Sequence, residues 1–151
     1  MAVRVQTADF DVGREIGALV EGNLAVGGVV SFVGRVRDIA GAEALEAMTL
    51  EHYPGMTERE LERMEAAARE RWPLEATLIV HRVGRLRPGE QIVLVVTASP
   101  HRQAAYEANQ FLVDWLKTRA PFWKSEQTGR GETWVEARAS DDRAAARWGA
   151  G

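Results

Sequence analysis

Cysteine is absent from this chain of 151 residues, and lysine is almost absent. The lack of cysteine excludes disulfides, thiolate metal ligands, a cysteine nucleophile and a cysteine-borne sulfur carrier. Of the 19 basic residues only Lys117 and Lys124 are lysine. A GC-rich genome favours arginine for reasons unrelated to chemistry. The two lysines still stand out, because arginine cannot replace lysine where a proton must leave.

Long apolar runs and a strong net charge are also missing. No run approaches the roughly 20 residues that a membrane-spanning helix needs. The first ten residues include Arg4 and Asp9 and do not form a secretory signal, so we expect a cytoplasmic protein. A formal net charge of -3 gives no field that would attract nucleic acid or an anionic membrane. Three scattered histidines predict no metal site, and we expect no cofactor.

The chain contains alternating strand and helix patterns without a repeat or a linker, so residues 1–151 are expected to form one domain. Turn residues and apolar spacing predict three main helices, followed by a C-terminal helix and tail from about residue 139. The main helices are predicted at Val12–Glu21, Thr57–Arg71 and Pro100–Arg119. The strands are predicted at Val3–Gln6, Gly27–Arg37, Ala44–Tyr53, Ala76–Val83, Gln91–Ala98, Phe122–Glu126 and Thr133–Ala137.

Individual residues mark the boundaries of these elements. Gly34 indicates a bulge or a close backbone approach inside a strand. Thr57-x-x-Glu60 predicts a capping box, and Ser99-Pro100 predicts the N-cap and first position of the longest helix. Residues 87–90 (RPGE) predict a tight turn. Because strands outnumber helices and short turns join neighbours, the fold class is α+β with a largely antiparallel sheet.

Lys117 and Lys124 are the first candidates for chemistry. Lys117 is predicted in the last turn of the longest helix and Lys124 just past the break at Pro121, so both ammonium groups can face one pocket. Two like charges in a partly desolvated pocket favour a neutral amine at one of them. That amine can act as a base while the other stabilises an anion. The alternative is that Lys117 only complements the helix dipole.

Other basic residues form candidate anion sites. Arg35 and Arg37 point to one face of a strand, and paired guanidinium groups suit a phosphate or carboxylate. A solvated strand end is the alternative. His101 and Arg102 lie at the predicted helix N-terminus, where free N–H groups and the positive dipole end attract anions. Arg138, near the end of the last strand, is a weaker candidate.

Aromatic residues flank the second lysine. Phe122 and Trp123 either stack on a planar heterocycle or pack in the core. Three further residues are interpreted as structural: Trp115, His52 and His81.

Five segments together resemble the catalytic subunit family of molybdopterin synthases. Their order and spacing fit from about Gly28 to Trp148, and the KTRAPFWK stretch is the most specific. The segments are VGRVR (Val33–Arg37), LEHYPGM (Leu50–Met56), HR (His101-Arg102), LKTRAPFWK (Leu116–Lys124) and WVEAR (Trp134–Arg138).

The resemblance implies an α/β hammerhead fold and a homodimer that binds a small ubiquitin-like subunit at each end, forming a heterotetramer. It also implies a sulfurtransferase of molybdenum cofactor biosynthesis. The Gly-Gly tail of the small subunit carries a thiocarboxylate, and two sulfurs pass to cyclic pyranopterin monophosphate to form the dithiolene of molybdopterin. A chain without cysteine agrees with sulfur that arrives on a partner.

Position by position, Lys117 and Lys124 match the family's catalytic lysines. Asp38-Ile39-Ala40 departs from the Asn and His that relatives often have, so this loop is expected to close differently. Ser125 stands where a basic residue is common, and its contact is expected to be limited to the backbone. The positions that match substrate-binding residues are Arg35, Val36, Arg37, His101, Arg102, Ser125, Glu126 and Arg138.

The length of the longest helix separates two of these groups. His101 and Lys117 are 16 residues apart, which is about 24 Å at 1.5 Å per residue. One small-molecule pocket cannot contact both ends of a straight helix. If both groups serve one site, we therefore expect them to come from different protomers across a two-fold axis.

Two other classes of function remain open. A non-catalytic binding module would dock a ubiquitin-like tail without a converging cationic pocket. A hydrolase of small phosphate esters would use the same arginines and would need no partner protein. A nucleic-acid function is disfavoured, because the net charge is negative and no basic stripe alternates with aromatic residues.

Overall fold

The computed structural model describes residues 2–38, 46–119, 121–128 and 131–134, with residues 146 and 148; for 131–134 it describes the backbone alone. These ranges contain three helices and eight strands. The helices are α1 (Val12–Val20), α2 (Met56–Arg71) and α3 (Arg102–Thr118). The strands are β1 (Ala2–Gln6), β2 (Gly28–Arg35), β3 (Ala47–His52), β4 (Ala76–Arg82), β5 (Gly84–Leu86), β6 (Gln91–Ser99), β7 (Phe122–Thr128) and β8 (Gly131–Trp134).

The strands divide between two four-stranded sheets. The first sheet has the order β1-β4-β6-β2, in which only the β1–β4 pair is parallel. The second has the order β5-β3-β7-β8 and is antiparallel throughout. The predicted α+β class and antiparallel pairing are confirmed. The sequence pattern predicted neither the division of the strands between two sheets nor the short strand β5 of the second sheet.

The first sheet carries most of the core. Its central strands β4 and β6 are covered on both faces, which explains their continuous apolar runs. Helices α2 and α3 pack on one face, where Phe111 of α3 and Ile79 of β4 belong to the same core cluster. Helix α1 covers the other face around Leu78 and Leu94. A smaller cluster of Val36, Met48, Leu50 and Leu86 lies at the second sheet.

Helix α2 begins one residue before the predicted capping box. Gly55 is the N-cap with a φ of 86°, and its N–H donates to the Glu58 carboxylate at 3.1 Å. The prediction of Thr57 as the cap is therefore wrong. Thr57 is buried in the first turn, where its hydroxyl accepts from the Tyr53 N–H at 3.1 Å and donates to the Pro121 carbonyl at 3.2 Å.

Helix α3 begins two residues later than predicted. Ser99 is the last residue of β6, and its hydroxyl donates to the Pro73 carbonyl at 3.1 Å instead of capping the helix. His101 is the N-cap and Arg102 the first helical residue. The predicted end before Pro121 is confirmed, because α3 stops at Thr118.

Two backbone features predicted from the sequence are confirmed, the irregularity at Gly34 and the turn at 87–90. The register between β2 and β6 shifts at Gly34/Arg35, and a Cβ at Gly34 would lie 2.7 Å from the Val93 side chain. In the turn at 87–90, the Glu90 N–H donates to the Arg87 carbonyl at 3.0 Å, and Gly89 has the positive φ of 92° that a type II turn requires.

The C-terminal part is described only at two positions. Trp148 packs against the main core cluster, and its indole N–H donates to the Asp114 carboxylate at 2.6 Å. Its carbonyl accepts from Arg71 at 2.6 Å. The predicted strand end at 135–137 and the predicted capping residues 140–142 lie outside the described residues. None of the described helices is long and apolar enough to span a bilayer.

Candidate functional site

The candidate residues gather at the two ends of α3. This helix has 17 residues, so its ends are about 25 Å apart at 1.5 Å per residue. Its apolar face packs on the first sheet through Ala108, Phe111, Leu112 and Trp115, which holds the helix axis in place. The burial of Trp115 confirms its interpretation as a core residue.

The N-terminal end of α3 borders an open cavity of about 790 Å³. His101 and Arg102 are both exposed there. Two glycines let the start of β2 approach this end, because a Cβ at Gly27 would collide with the Pro100 carbonyl and one at Gly28 would lie 3.3 Å from Arg102 Cα. The cavity is lined by Gly27, Pro100, His101, Arg102, Gln103, Tyr106 and Glu107.

The charges around this cavity are mixed. No described side chain caps the helix at His101, so the first N–H groups and the positive dipole end remain available to an anion. Glu107 supplies a carboxylate on the same wall. Hydrogen bonds from Gln103 at 3.0 Å and from Trp72 at 2.8 Å lower the pKa of Glu107. An anion at this end is therefore attracted by His101 and Arg102 and kept away from one side by Glu107.

The C-terminal end of α3 is more closely packed. Lys117 lies in the last turn and is exposed, whereas Lys124 on β7 is half-buried. Phe122, the first residue of β7, stacks on the His81 ring with 3.8 Å between centroids and 16° between planes. Since alternate residues of a strand share a face, Phe122 and Lys124 lie on the same face of β7.

His81 is the residue at this end whose location the sequence did not reveal. It is 8% exposed, and its Nδ1 lies 2.8 Å from the Arg82 carbonyl. Burial is the main reason that the pKa of His81 is lowered to about 4; the hydrogen bond to the Arg82 carbonyl acts against it, and the charges of Lys117 and His52 contribute in the same direction as burial. The interpretation as a structural histidine agrees with this burial, but nothing local in the sequence placed His81 near Lys117.

Trp123 and Ser125 share the other face of β7 and differ in burial along the strand. Ser125 is 1% exposed and points into the protein, whereas Trp123 is 39% exposed and meets the Tyr53 ring edge-on at 4.3 Å. Glu126 is half-buried and follows Lys124 on the same face. A buried Ser125 side chain agrees with the expectation that its contact is limited to the backbone.

The segment after β2 is held by the 87–90 turn. Arg35 donates two hydrogen bonds to the Gly89 carbonyl, at 3.0 and 3.2 Å. Val36 is 4% exposed and packs in the smaller core cluster, so its side chain faces the interior. Arg37 and Asp38 are exposed. The two remaining positions of the divergent loop, 39 and 40, and the candidate Arg138 lie outside the described residues.

The predicted site residues therefore form two groups within one chain. Lys117 lies near His81 of the Phe122–His81 stack, and Lys124 follows Phe122 on the same face of β7, while His101 and Arg102 border the cavity at the other end of α3. Within the described ranges, no group of three or more His, Asp or Glu side chains could hold a metal ion. The arrangement suits an anionic small molecule.

The fold is that of a small α+β protein with basic residues at both ends of its longest helix. The chain belongs to the MoaE protein family, whose model matches residues 5–119. It is 56% identical over 148 residues to the molybdopterin synthase catalytic subunit of Pseudomonas aeruginosa, covering 98% of this chain and 99% of that protein.

Solved structures agree with this assignment. The molybdopterin biosynthesis MoaE protein from Burkholderia ambifaria superimposes with a TM-score of 0.84 at 52% identity, covering 99% of both chains. Molybdopterin synthase from Staphylococcus aureus superimposes with a TM-score of 0.82 at 31% identity, covering 88% of this chain and 96% of that one.

Proposed function

We propose that this chain is the catalytic subunit of a molybdopterin synthase, a cytoplasmic sulfurtransferase that acts as a single domain. It would transfer two sulfurs from the C-terminal thiocarboxylate of a small ubiquitin-like subunit to cyclic pyranopterin monophosphate. The observation that carries this proposal is membership of the MoaE protein family, with similarity to a catalytic subunit along 98% of the chain.

The substrate would be held by basic side chains and by backbone groups. Arg35, Arg37, His101 and Arg102 would bind its phosphate and pterin, with Arg138 as a further arginine. Such contacts mainly orient the substrate and stabilise charge. The buried side chains of Val36 and Ser125 would restrict these two positions to backbone contacts, whereas the half-buried Glu126 would contact the substrate with its side chain.

The two lysines would carry the chemistry. Lys117 is exposed and can meet the incoming thiocarboxylate, neutralise it and move protons as sulfur adds to the substrate. Lys124 is half-buried on the neighbouring strand, where it would tune Lys117 and stabilise the developing anion. The partial burial of Lys124 supports its role, because charge interactions are stronger where less water is present.

The assembly would be a homodimer with one small subunit at each end. This proposal is supported by the separation of about 25 Å between the ends of α3, which prevents one chain from using both groups on one small substrate. His101 and Arg102 of one protomer would then complete the lysine site of the other. The chain has no cysteine to carry sulfur, which agrees with sulfur supplied by the small subunit.

A reconstituted assay tests the function. The chain is incubated with a thiocarboxylated small subunit and cyclic pyranopterin monophosphate, and the dithiolene product is measured. Product that depends on the small subunit supports the proposal. Binding of the small subunit without product would identify a binding module, and release of phosphate without any partner would identify a phosphate-ester hydrolase. Either of these outcomes contradicts the proposal.

A further inference from the structure

Three elements of the fold meet at one pair of rings. His81 lies near the end of β4 in the first sheet, and Phe122 is the first residue of β7 in the second sheet. Their rings are nearly parallel, 3.8 Å apart between centroids. The chain enters β7 directly from α3 through Pro121, so the end of α3 is tied to the same contact.

The surroundings of His81 hold its ring in one orientation. On the first sheet it lies between Val5 of β1 and Val93 of β6, which are its partners in the strand pairing. Because the Arg82 carbonyl oxygen can only accept, the Nδ1 of His81 carries the proton and donates at 2.8 Å. The Arg82 side chain donates its hydrogen bonds to the carbonyls of Thr7 and Gln91 and not to the His81 ring.

The charged groups that act on His81 come from two other elements. Lys117 approaches from α3, and His52 approaches from β3, where it pairs with Phe122. An uncharged ring at this position therefore sits among groups that are cations or can become cations. A buried imidazole that stays neutral adds no further positive charge to them.

We propose that His81 is a positioning residue for the two lysines: by stacking on Phe122 it fixes the start of β7, and thereby places Lys124 beside the end of α3 that carries Lys117. This role rests on the proposed function of the lysines. The ring face provides the stack, and the Arg82 carbonyl prevents the ring from turning. Neither contact requires His81 to touch the substrate.

Two substitutions of His81 test the contribution of the ring stack separately from that of the hydrogen bond. His81→Phe keeps a ring for the stack and loses the N–H donor. His81→Asn keeps an N–H donor close to the backbone and loses the ring. A third variant, Phe122→Leu, removes the stack from the other side and keeps apolar packing. Thr77→Val is the matched control, because Thr77 is a fully buried polar residue on the same strand and the same face as His81.

Cross-linking measures the placement of the lysines without any partner or substrate. Lys117 and Lys124 are the only lysines of the chain, so a short bifunctional amine reagent reports directly on their proximity. A mixture of unlabelled and heavy-isotope-labelled protein separates links within one protomer from links between protomers. Peptide mass spectrometry gives the yield of the Lys117–Lys124 link in each variant.

We expect a link within one protomer in the wild-type protein, in Thr77→Val and in His81→Phe. His81→Asn and Phe122→Leu should lower its yield about threefold or more, because both lose the aromatic pair. The proposal is overturned if the wild-type protein gives no such link, or if the two variants without a stack link as well as the wild type does. Where His81→Asn fails to fold, Phe122→Leu decides the question.

Kinetics with the small subunit and pterin precursor add a second readout. His81→Asn should lower kcat and leave KM near its wild-type value, whereas His81→Phe should restore kcat. An equal loss of kcat in both variants would point to general destabilisation and reject a positioning role. If the wild-type protein transfers no sulfur, the proposed function fails, and the cross-linking result still decides the role of His81 in the fold.

Discussion

The two ends of α3 differ in how much protein surrounds their charges. At the N-terminal end His101 and Arg102 are exposed beside an open cavity of about 790 Å³. At the C-terminal end the buried His81 stacks on the half-buried Phe122 near Lys117, and Lys124 is half-buried. A charge acts more strongly where less water surrounds it. One end is thus suited to binding an anion, and the other to chemistry.

Replacing Lys117 tests the reacting end, and we expect the largest effect there. Lys117→Ala should reduce sulfur transfer in a single turnover by about a hundredfold or more, because it removes a group that moves protons. The small subunit should still bind. Arg63→Ala, at an exposed position of α2, is the control and should be fully active. Near-normal single-turnover transfer by Lys117→Ala would reject the assignment of this end.

Mixing two variants, each impaired at one end of α3, tests whether the ends belong to one shared site; the assay is run at a precursor concentration well below KM, where a loss of affinity also lowers the rate. Lys117→Ala and His101→Ala are combined, unfolded and refolded together. If each site uses one end from each protomer, half of the dimers are mixed and each mixed dimer has one intact site, so about a quarter of the wild-type activity returns. The recovered activity is measured as the dithiolene product of the reconstituted assay. No recovery, in dimers shown to be mixed, means that the ends do not cooperate across protomers.

Arg102→Ala tests the binding end, where the effect should fall on affinity. A lost charged hydrogen bond corresponds to about 1.5–3 kcal/mol, so KM for the pterin precursor should rise about tenfold to a hundredfold. We expect kcat to change little. Arg14→Ala on the surface of α1 is the control and should leave KM unchanged. A collapse of kcat with KM unchanged would show that this end also takes part in the chemistry.

Protonation of His81 should have a smaller effect, which is on the free energy of unfolding. The folded protein keeps the pKa of His81 near 4, below its ordinary value of 6.5, so the unfolded chain binds a proton that the folded protein does not. The free energy of unfolding should therefore fall as the pH is lowered from 6.5 to 4, by about 3 kcal/mol at most.

Denaturant unfolding of the wild-type protein and of His81→Phe at several pH values isolates this effect. Burial raises the pKa of Glu65, which changes stability in the opposite direction as the pH falls towards 4.5. Glu65 is present in both proteins, so its contribution cancels in the difference. Parallel pH profiles for the two proteins would show that His81 is not held uncharged.

Much of the fold was predictable because local signals agree with the tertiary contacts. The apolar runs of β4 and β6 reflect burial on both faces. The residue types at Gly34 and in the 87–90 turn indicate the backbone geometry that these positions adopt. The two helix starts were misplaced for one physical reason. The hydroxyls of Ser99 and Thr57 bond to carbonyls 26 and 64 residues away, which no local pattern encodes.

The candidate site was predictable to a similar degree. Lys117 and Lys124 could be found because lysine is rare in this chain and Pro121 separates them. The stack of His81 on Phe122 could not be found, because the two residues are far apart in sequence and belong to different sheets. Arg138 stays a prediction from the sequence.

The single hydroxyl of Thr57 has a consequence for how the protein opens. It joins the backbone after β3 to the first turn of α2 and to the residue that precedes β7. These three segments should therefore exchange their amide hydrogens as one cooperative unit. Local unfolding that released α2 would loosen the base of the lysine-bearing strand at the same moment.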